Sequence, residues 1–479
     1  MLMLADIVAA SREVAATRSR RAKMARLSSV LSRLEVAELP AAVGFLCGEL
    51  RQGRLGLGPR TLQRLTAEPA PVDSLVSVLE LDAVFQALED LSGKGVASER
   101  EQLLSALFAR LAADEREFVA RLILGEVRQG ALESIVLDSL AEAARVSPDS
   151  IRKAMLFSGN AAEVAVSAFR GGEAELAAFT IQLFRPLRPM LAQSAKDAAE
   201  AFSRGAPAAV EYKLDGARIQ LHRQGARVAI YSRYGNELTD ALPEIVEMAQ
   251  SLSADSVVLD GEAIALRQDG RPQPFQVTMQ RVGRKLGVAA ARAELPLRAF
   301  FFDCLYADGR VLVEQPNRER WQALCAAVPA ELRVTRVEVL NAEAAEAALR
   351  GALDSGNEGV VVKSLSSSYE AGRRGAGWIK VKPAPTLDLV VLAAEWGSGR
   401  RKGWLSNLHL GARDPENGGF VMLGKTFKGM SDSMLAWQTE KFQELATERH
   451  DYLVEVRPEV VVEIAFDGLQ KSSTSSVIS

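Results

Sequence analysis

The chain has 479 residues, of which 48% are hydrophobic and 25% charged, and its formal net charge is −3. This length exceeds what one hydrophobic core usually serves, so we expect two to four domains. No apolar run is long enough to cross a bilayer, the first residues do not resemble a cleaved signal, and three cysteines are too few for a four-thiolate zinc site. These features predict a cytoplasmic protein with no membrane partner, in which any nucleic-acid surface is a local basic cluster.

Residues 1–195 form the first predicted domain, which is helical. Apolar residues recur there at spacings of three and four, as in the stretch Leu103–Leu111, and this spacing is typical of amphipathic helices. Long alternating patterns, which would indicate strands, are absent from this part of the sequence.

One eight-residue motif occurs twice in the helical region. Residues 48–55 have the sequence GELRQGRL and residues 125–132 have the sequence GEVRQGAL. Two such corners could present backbone N–H groups, with Arg51 and Arg128, to the phosphates of a duplex. The alternative is a duplicated helical hairpin whose glycines only form turns, and the residues alone leave both interpretations open.

The pattern changes after a proline-containing joint at Phe184–Ala192. Short, partly alternating strands follow, and helices are expected around 240–252, 316–328 and 341–355. The strands are expected at Val210–Tyr212, Arg218–His222, Arg227–Tyr231, Ser256–Ile264 and Phe300–Leu305. This arrangement predicts an α+β domain over residues 196–384, built on antiparallel hairpins.

A second joint, Pro383–Thr386, precedes the last predicted domain, residues 385–479. Strands are expected at Leu387–Leu392 and Val460–Ile464, with a helix near 431–447 between them. Several short strands with one inserted helix are typical of a small oligonucleotide-binding barrel, the OB-fold.

The candidate nucleophile is Lys213, in the motif EYKLDGAR at residues 211–218. A lysine amine can form a covalent intermediate once it has lost its proton. An ordinary lysine has a pKa of about 10.4, so a neutral amine near pH 7 costs roughly 4–5 kcal/mol. Cations such as Lys380 and Lys382, or a bound metal, reduce this cost. On its own, Lys-x-Asp-Gly is more often an exposed lysine beside a turn aspartate.

Five further motifs follow Lys213 in order, and a match to Lys-x-Asp-Gly-x-Arg alone is expected by chance in roughly one of a few hundred such chains. The five are Ser232–Gly235, Leu259–Glu262, Phe300–Asp303, Glu358–Lys363 and Trp378–Lys382. This ordered set closely resembles the nucleotidyltransferase motifs of the ATP-dependent DNA ligases, most of all the archaeal and actinobacterial members.

The resemblance covers nearly the whole chain. It implies that residues 1–195 are a helical DNA-binding domain, that residues 196–384 are an adenylation domain entered through the tract Arg188–Ala192, and that residues 385–479 are an OB-fold. It also implies a monomeric enzyme that uses ATP and Mg²⁺ to seal nicked double-stranded DNA. AMP would pass from ATP to a lysine, then to the 5′-phosphate at the nick, and would leave when the 3′-hydroxyl attacks.

The resemblance further implies roles for single residues. Lys213 would attack the α-phosphate of ATP and carry AMP. Glu211 would read the adenine edge, and Phe302 would stack on the base. Glu262 would lie beside the ribose hydroxyl and, with Glu358, hold the metal. Cations would surround the ribose and the phosphates: Arg218, Arg233, Arg374, Lys380 and Lys382. These residue types suit phosphoryl transfer, which depends on positioning and charge neutralisation.

The chain departs from the family pattern near its C-terminal end. Residues 462–473 resemble the approach to a basic motif that orients the pyrophosphate of ATP, but only TSSVIS follows, at residues 474–479. We therefore expect an incomplete OB-fold. Because only the first step expels pyrophosphate, we also expect slow formation of lysyl-AMP and retained sealing of a pre-adenylated nick.

Two other functions stay open at this point. RNA ligases and capping guanylyltransferases use the same lysine chemistry, although the long helical region argues against both, and three cysteines cannot build the zinc finger of an NAD⁺-dependent ligase. A DNA-binding clamp without turnover, left by loss of the terminal basic motif, is the alternative from a different class.

Overall fold

A computed structural model of the chain describes residues 1–53, 55–91, 96–127 and 133–466. Two predictions fall outside the described residues: the position of Arg128, and the incomplete end of the OB-fold within residues 467–479. Among the described residues, no helix has both the length and the apolar character that crossing a membrane requires.

Helices build the N-terminal part of the chain, as the apolar spacing predicts. The described residues up to Ala177 form ten helices around one hydrophobic core, in which Phe45, Phe85 and Phe108 are buried. The helices are α1 (Leu4–Ala16), α2 (Arg20–Leu31), α3 (Leu39–Cys47), α4 (Pro59–Ala67), α5 (Val78–Asp90), α6 (Val96–Phe108), α7 (Ala113–Leu124), α8 (Glu133–Ala144), α9 (Pro148–Ser158) and α10 (Ala161–Ala177).

Two five-stranded sheets follow. Their strands are β1 (Gln193–Ala195), β2 (Ala208–Lys213), β3 (Ala217–Gln224), β4 (Arg227–Ser232), β5 (Ser256–Ala265), β6 (Leu297–Ala307), β7 (Arg310–Val311), β8 (Arg336–Val339), β9 (Gly359–Ser364) and β10 (Trp378–Val381). The first sheet has the order β1-β10-β9-β2-β8 and the second β4-β3-β5-β6-β7. The pairs are antiparallel, as expected, except for β1 with β10. Strand β1 lies before the predicted boundary at residue 195, so the chain enters this sheet slightly earlier than predicted.

Helices pack against both sheets, and three of them confirm helices predicted from the sequence. They are α11 (Ala198–Gly205), α12 (Pro243–Gln250), α13 (Phe275–Val282), α14 (Val288–Glu294), α15 (Asn317–Ala327) and α16 (Ala342–Asp354), with short 3₁₀ turns at Thr239–Ala241 and Ala330–Leu332. Each sheet has its own core of aliphatic side chains.

The joint at Phe184–Ala192 is packed on the second sheet rather than loose. The Tyr231 hydroxyl donates to the carbonyl of Phe184 at 2.8 Å. The amide of Gln220 accepts from the backbone N–H of Leu187 at 2.8 Å and donates to its carbonyl at 3.2 Å. These hydrogen bonds fix the conformation of the segment that connects the helices to the sheets.

The last part of the chain is a small barrel, and the predicted OB-fold is confirmed. Its elements are β11 (Thr386–Trp396), the 3₁₀ turn Gly399–Arg401, β12 (Leu405–Arg413), β13 (Phe420–Thr426), α17 (Asp432–Glu444), β14 (Ala446–Arg449), β15 (Leu453–Val456) and β16 (Val461–Ala465). The strand order is β13-β12-β11-β15-β14, and β16 pairs with β11. Helix α17 packs on the core through Phe442, which is buried.

Candidate active site

Lys213 lies at the end of β2, where the first sheet faces the second. Its strand runs between β8 and β9, and Lys213 is in register with Gly359. The chain then turns through Gly216, where a side chain would approach the carbonyl oxygen of Ala263 to 2.5 Å. The missing side chain at residue 216 therefore lets the turn after Lys213 lie directly against β5.

Lys213 is part of a three-membered ion cluster. Its ammonium contacts one carboxylate oxygen of Glu358, and the ammonium of Lys382 contacts the other at 2.6 Å. Burial raises the pKa of Glu358, but the two lysines outweigh burial and hold that pKa below its ordinary value. Glu358 therefore stays ionised and fixes both lysines at the mouth of the cleft.

Two further acids flank Lys213, and burial raises the pKa of each. The pKa of Asp215 is raised by burial and by the charge of Glu358. Burial raises the pKa of Glu262 to about 7, although Arg218 and Lys213 pull it in the opposite direction. A cation bound between these acids would favour their ionised forms.

We expect Glu262→Gln to stabilise the protein at high pH. The folded-state pKa of Glu262, about 7, lies above its ordinary value of 4.5, so the wild type loses stability as pH rises from 4.5 to 7. The loss is complete above pH 7 and absent below pH 4.5. Glutamine removes this cost, so the variant should gain about 3 kcal/mol at pH 8 and almost nothing near pH 4.5.

Urea unfolding with EDTA at both pH values measures this difference. Glu331→Gln, at an exposed glutamate, is the matched control and should show no pH-dependent gain. An equal gain for Glu262→Gln at both pH values would contradict the expected cost.

The cleft beside Lys213 has an aromatic wall. Phe302 packs edge-on against Trp378, with ring centroids 5.9 Å apart and planes at 80°. The ammonium of Lys363 lies 4.1 Å from the Trp378 ring and donates to the carbonyl of Phe302 at 3.0 Å. Leu191 and Val361 also line this part of the cleft. An apolar surface with a cation behind it suits a purine ring.

Glu211 lies in the same wall, with both carboxylate oxygens paired. Arg336 donates to one oxygen at 2.7 Å and Lys363 contacts the other at 2.6 Å, and all three side chains are buried. The sequence assigned Glu211 to the adenine edge, and the residue does line the cleft. Its carboxylate is held in place by two cations.

Arg218 is also bound on several sides. Its guanidinium forms a bidentate pair with Asp260, at 3.0 and 2.6 Å, and donates to the carbonyl of Met190 at 2.7 Å. The charged group lies 5.5 Å from the centre of the Phe302 ring. Arg218 therefore forms a rigid part of the cleft rather than a mobile arm.

Eight of the ten predicted catalytic, nucleotide and metal residues line this one cleft. Glu358 and Lys382 are the other two, and they join it through Lys213. Arg233 and Arg374 are exposed at its rim. The eight are Glu211, Lys213, Arg218, Arg233, Glu262, Phe302, Arg374 and Lys380. The structure brings the ten together, while their individual roles stay predictions.

Several residues in the site were not given a role from the sequence. The place of Lys363 in the cleft could have been predicted. It lies two residues after Val361 on β9, and alternate residues of a strand share a face. Trp378 belongs to a motif that was noticed for its lysines. Asp260 belongs to the motif Leu259–Glu262, in which only Glu262 was given a role. Arg336 and Tyr369 carry no local signal, since their partners are distant in the chain.

The described residues at the start of each copy of the repeat, 48–53 and 125–127, form matching corners at two helix ends. Helices α3 and α7 end at Gly48 and Gly125, with φ of 75° and 69°, and a side chain at Gly48 would lie 3.2 Å from Val127. The corners therefore pack against each other. Arg51 does not extend freely: it forms a bidentate pair with Asp82, at 3.1 and 2.5 Å.

Models of three protein families match successive parts of the chain. The model described as DNA ligase N terminus matches residues 74–141. The ATP dependent DNA ligase domain matches residues 189–382 and so spans the cleft. The ATP dependent DNA ligase C terminal region matches residues 401–476.

Curated relatives match nearly end to end. A protein named "Probable DNA ligase" from Anaeromyxobacter sp. (strain Fw109-5) is 54% identical, over 98% of this chain and 91% of its own length. One of the same name from Saccharopolyspora erythraea is 51% identical, over 99% of this chain and 91% of its own. The solved structure titled Pmar-Lig_Pre has a TM-score of 0.62 and 18% identity, with 100% of this chain and 97% of that one covered, and it shows the same fold.

Proposed function

This chain belongs to the ATP-dependent DNA ligase family, and we propose that Lys213 is the residue that carries AMP in its reaction. The observation that supports the assignment is the place of Lys213 between an aromatic wall and a row of cations, with its ammonium held by Glu358. A purine nucleotide has this same division, with an apolar base at one end and phosphates at the other.

The first step joins Lys213 to AMP. Its Nζ, after losing a proton, attacks the α-phosphorus of ATP. The new N–P bond forms as the bond from that phosphorus to the bridging oxygen breaks, and pyrophosphate leaves with the electron pair. Lys380, Lys382 and Arg374 supply positive charge beside the phosphates, which is the main need of such a transfer.

Glu262 and Glu358 would hold Mg²⁺. Carboxylate oxygens are ligands that Mg²⁺ prefers. Burial raises the pKa values of Asp215 and Glu262, and a bound cation would offset this cost of ionisation. When bound, Mg²⁺ neutralises charge that develops on the phosphates. Glu358 has the further task of orienting Lys213 and Lys382.

We propose that the two helical corners grip the duplex through phosphates, and that Arg51 is one of the groups involved. Arg51→Ala should lower the slope of log affinity against log salt by about 0.9, which corresponds to one phosphate contact. Formation of the AMP adduct should be unchanged, because that step needs no DNA. Binding to a nicked duplex at several salt concentrations measures the slope.

Asp82→Asn is the matched control for this contact. It keeps Arg51 and removes the carboxylate that pairs with it, so the salt slope should stay at the wild-type value or steepen. A wild-type slope for Arg51→Ala would show that the corner is only a scaffold.

One experiment tests the proposed function as a whole. The purified protein is incubated with Mg²⁺ and ATP, GTP or NAD⁺, and its mass is measured before a nicked DNA duplex is added. We expect one AMP to be gained from ATP alone, followed by sealing. A guanylyl adduct, or sealing of RNA but not DNA, would favour the alternative lysine enzymes.

We further propose that the enzyme acts as a monomer and is found with its DNA substrate in the cytoplasm, at the nucleoid. A single nick presents one 5′-phosphate, and one chain supplies every group assigned above. Light scattering with and without nicked duplex tests this stoichiometry, and a dimer in both states would contradict it.

A further inference from the structure

Tyr369 lies beneath the nucleotide cleft, at a junction of three parts of the chain. It is 1% exposed, and it belongs to neither of the motifs on either side of it in the sequence. Its hydroxyl accepts from the backbone N–H of Met190 at 3.0 Å and donates to a carboxylate oxygen of Asp260 at 2.6 Å. The guanidinium of Arg218 lies 3.4 Å from the same hydroxyl.

These contacts occupy most of the hydrogen-bond donors of Arg218. An arginine has five N–H donors. Here the bonds to Asp260, Met190 and Tyr369 occupy four of them. Burial raises the pKa of Tyr369 well above its ordinary value, and Asp260 acts in the same direction, so the hydroxyl keeps its proton and remains a donor.

We propose that Tyr369 is a positioning residue for ATP, which ties Arg218 to the segment Arg188–Ala192 so that both form one fixed wall of the nucleotide cleft. This inference rests on the proposed function of the cleft. Leu191 and Ala192 line the cleft directly after Met190, and Arg218 lies on the same side beside Phe302. Tyr369 contacts both parts of this wall, and it is not itself among the lining residues.

The same segment leads from the helical region. Arg188 contacts Glu133 of α8 at 2.5 Å, and the loop after Tyr369 returns to the segment through the N–H of Gly372, which donates to the carbonyl of Arg188 at 3.1 Å. A movement of the helical region on DNA would therefore reach the nucleotide wall through a short, hydrogen-bonded path. Tyr369 holds this path at Met190, beside the residues that line the cleft.

Tyr369→Phe tests the role, because it deletes only the hydroxyl. Without the hydroxyl, the buried N–H of Met190 loses its hydrogen-bond partner, and Arg218 is no longer linked through Tyr369 to the segment Arg188–Ala192. We expect the ATP concentration that half-saturates self-adenylation to rise about 5- to 20-fold. The maximal rate should change less than threefold, since Lys213 and its partners are untouched.

Tyr231→Phe is the matched control. Tyr231 is also buried, and its hydroxyl also holds the connecting segment. It does so at Phe184, well before Leu191 and Ala192, the part of the segment that lines the cleft. Its half-saturating ATP concentration should equal that of the wild type. Equal increases in both variants would overturn the proposal, because they would show a general loosening of the segment.

A second arm asks whether Tyr369 acts through Arg218. In an Arg218→Lys background, Tyr369→Phe should add less than a twofold change, because the tie is already lost. Fully additive effects, or a wild-type ATP dependence for the single variant, would overturn the proposal. If Tyr369→Phe does not fold, Asp260→Asn replaces by an amide the carboxylate that both the hydroxyl and Arg218 contact, and it should raise the half-saturating ATP concentration at least as much. Absence of any AMP adduct in the wild type would instead count against the proposed function.

Discussion

Lys213→Ala is expected to abolish both the covalent AMP adduct and sealing from ATP. Of the two lysines that contact Glu358, Lys213 is the one that lines the cleft, so we expect no neighbour to replace it as nucleophile. DNA affinity should stay within about threefold of the wild type, because affinity is spread over many phosphate contacts. Mass spectrometry of the protein after incubation with ATP and Mg²⁺ reports the adduct directly.

Lys213→Arg is the matched control for this substitution. It keeps a cation for Glu358 but supplies no amine that can attack, so it should fold like the wild type and still form no adduct. A pre-adenylated nick should be sealed measurably by both variants, since the third step does not use Lys213 as a nucleophile. An AMP adduct in either variant would refute the assignment of Lys213.

Gly359→Ala is expected to lower the rate of self-adenylation by about 100-fold. Gly359 follows Glu358, is in register with Lys213, and has φ of 153°. A methyl group there would overlap the carbonyl oxygen of Val381 and approach the backbone of Lys382 to 3.2 Å. Strand β10 would have to move away from β9, and a misplacement of about 1 Å in a reacting group costs about this factor.

Gly205→Ala provides the comparison. Gly205 is the last residue of α11 and faces the same two strands, β9 and β10. A methyl there would lie 3.8 Å from Val362 and 4.0 Å from Ile379, which is ordinary contact. Self-adenylation should therefore stay within about twofold of the wild type. Circular dichroism of both variants separates loss of geometry from loss of folding. Wild-type self-adenylation by a folded Gly359→Ala would mean that the cluster around Glu358 tolerates movement.

For most of the chain, composition and periodicity were enough to predict whether a segment is a helix or a strand. Helix spacing in residues 1–177 and short alternating strands after residue 208 predicted the observed elements, because burial on one face imposes a period that the residues must follow. The OB-fold followed from the same kind of pattern in residues 386–465. The predicted domain boundaries were less accurate, since β1 begins before the predicted boundary at residue 195.

The order of motifs also determined most of the site. Lys213, Glu262, Phe302 and Glu358 are predicted site residues because the ordered set of motifs that contains them resembles that of the ATP-dependent DNA ligases. Such motifs predict which side chains meet. They do not predict how each side chain is paired.

Only the tertiary structure decided the pairing. Glu211 forms ion pairs with two buried basic side chains, Arg218 forms an ion pair with Asp260, and Arg51 forms one with Asp82. Each pair joins residues more than 30 positions apart, and Glu211 on β2 and Arg336 on β8 are 125 positions apart. The identity of a charged residue in the sequence does not show whether its side chain contacts solvent, a ligand or an opposite charge. The fold determines which of these it meets, because burial makes an unpaired charge too costly and selects a partner from whatever strand lies beside it.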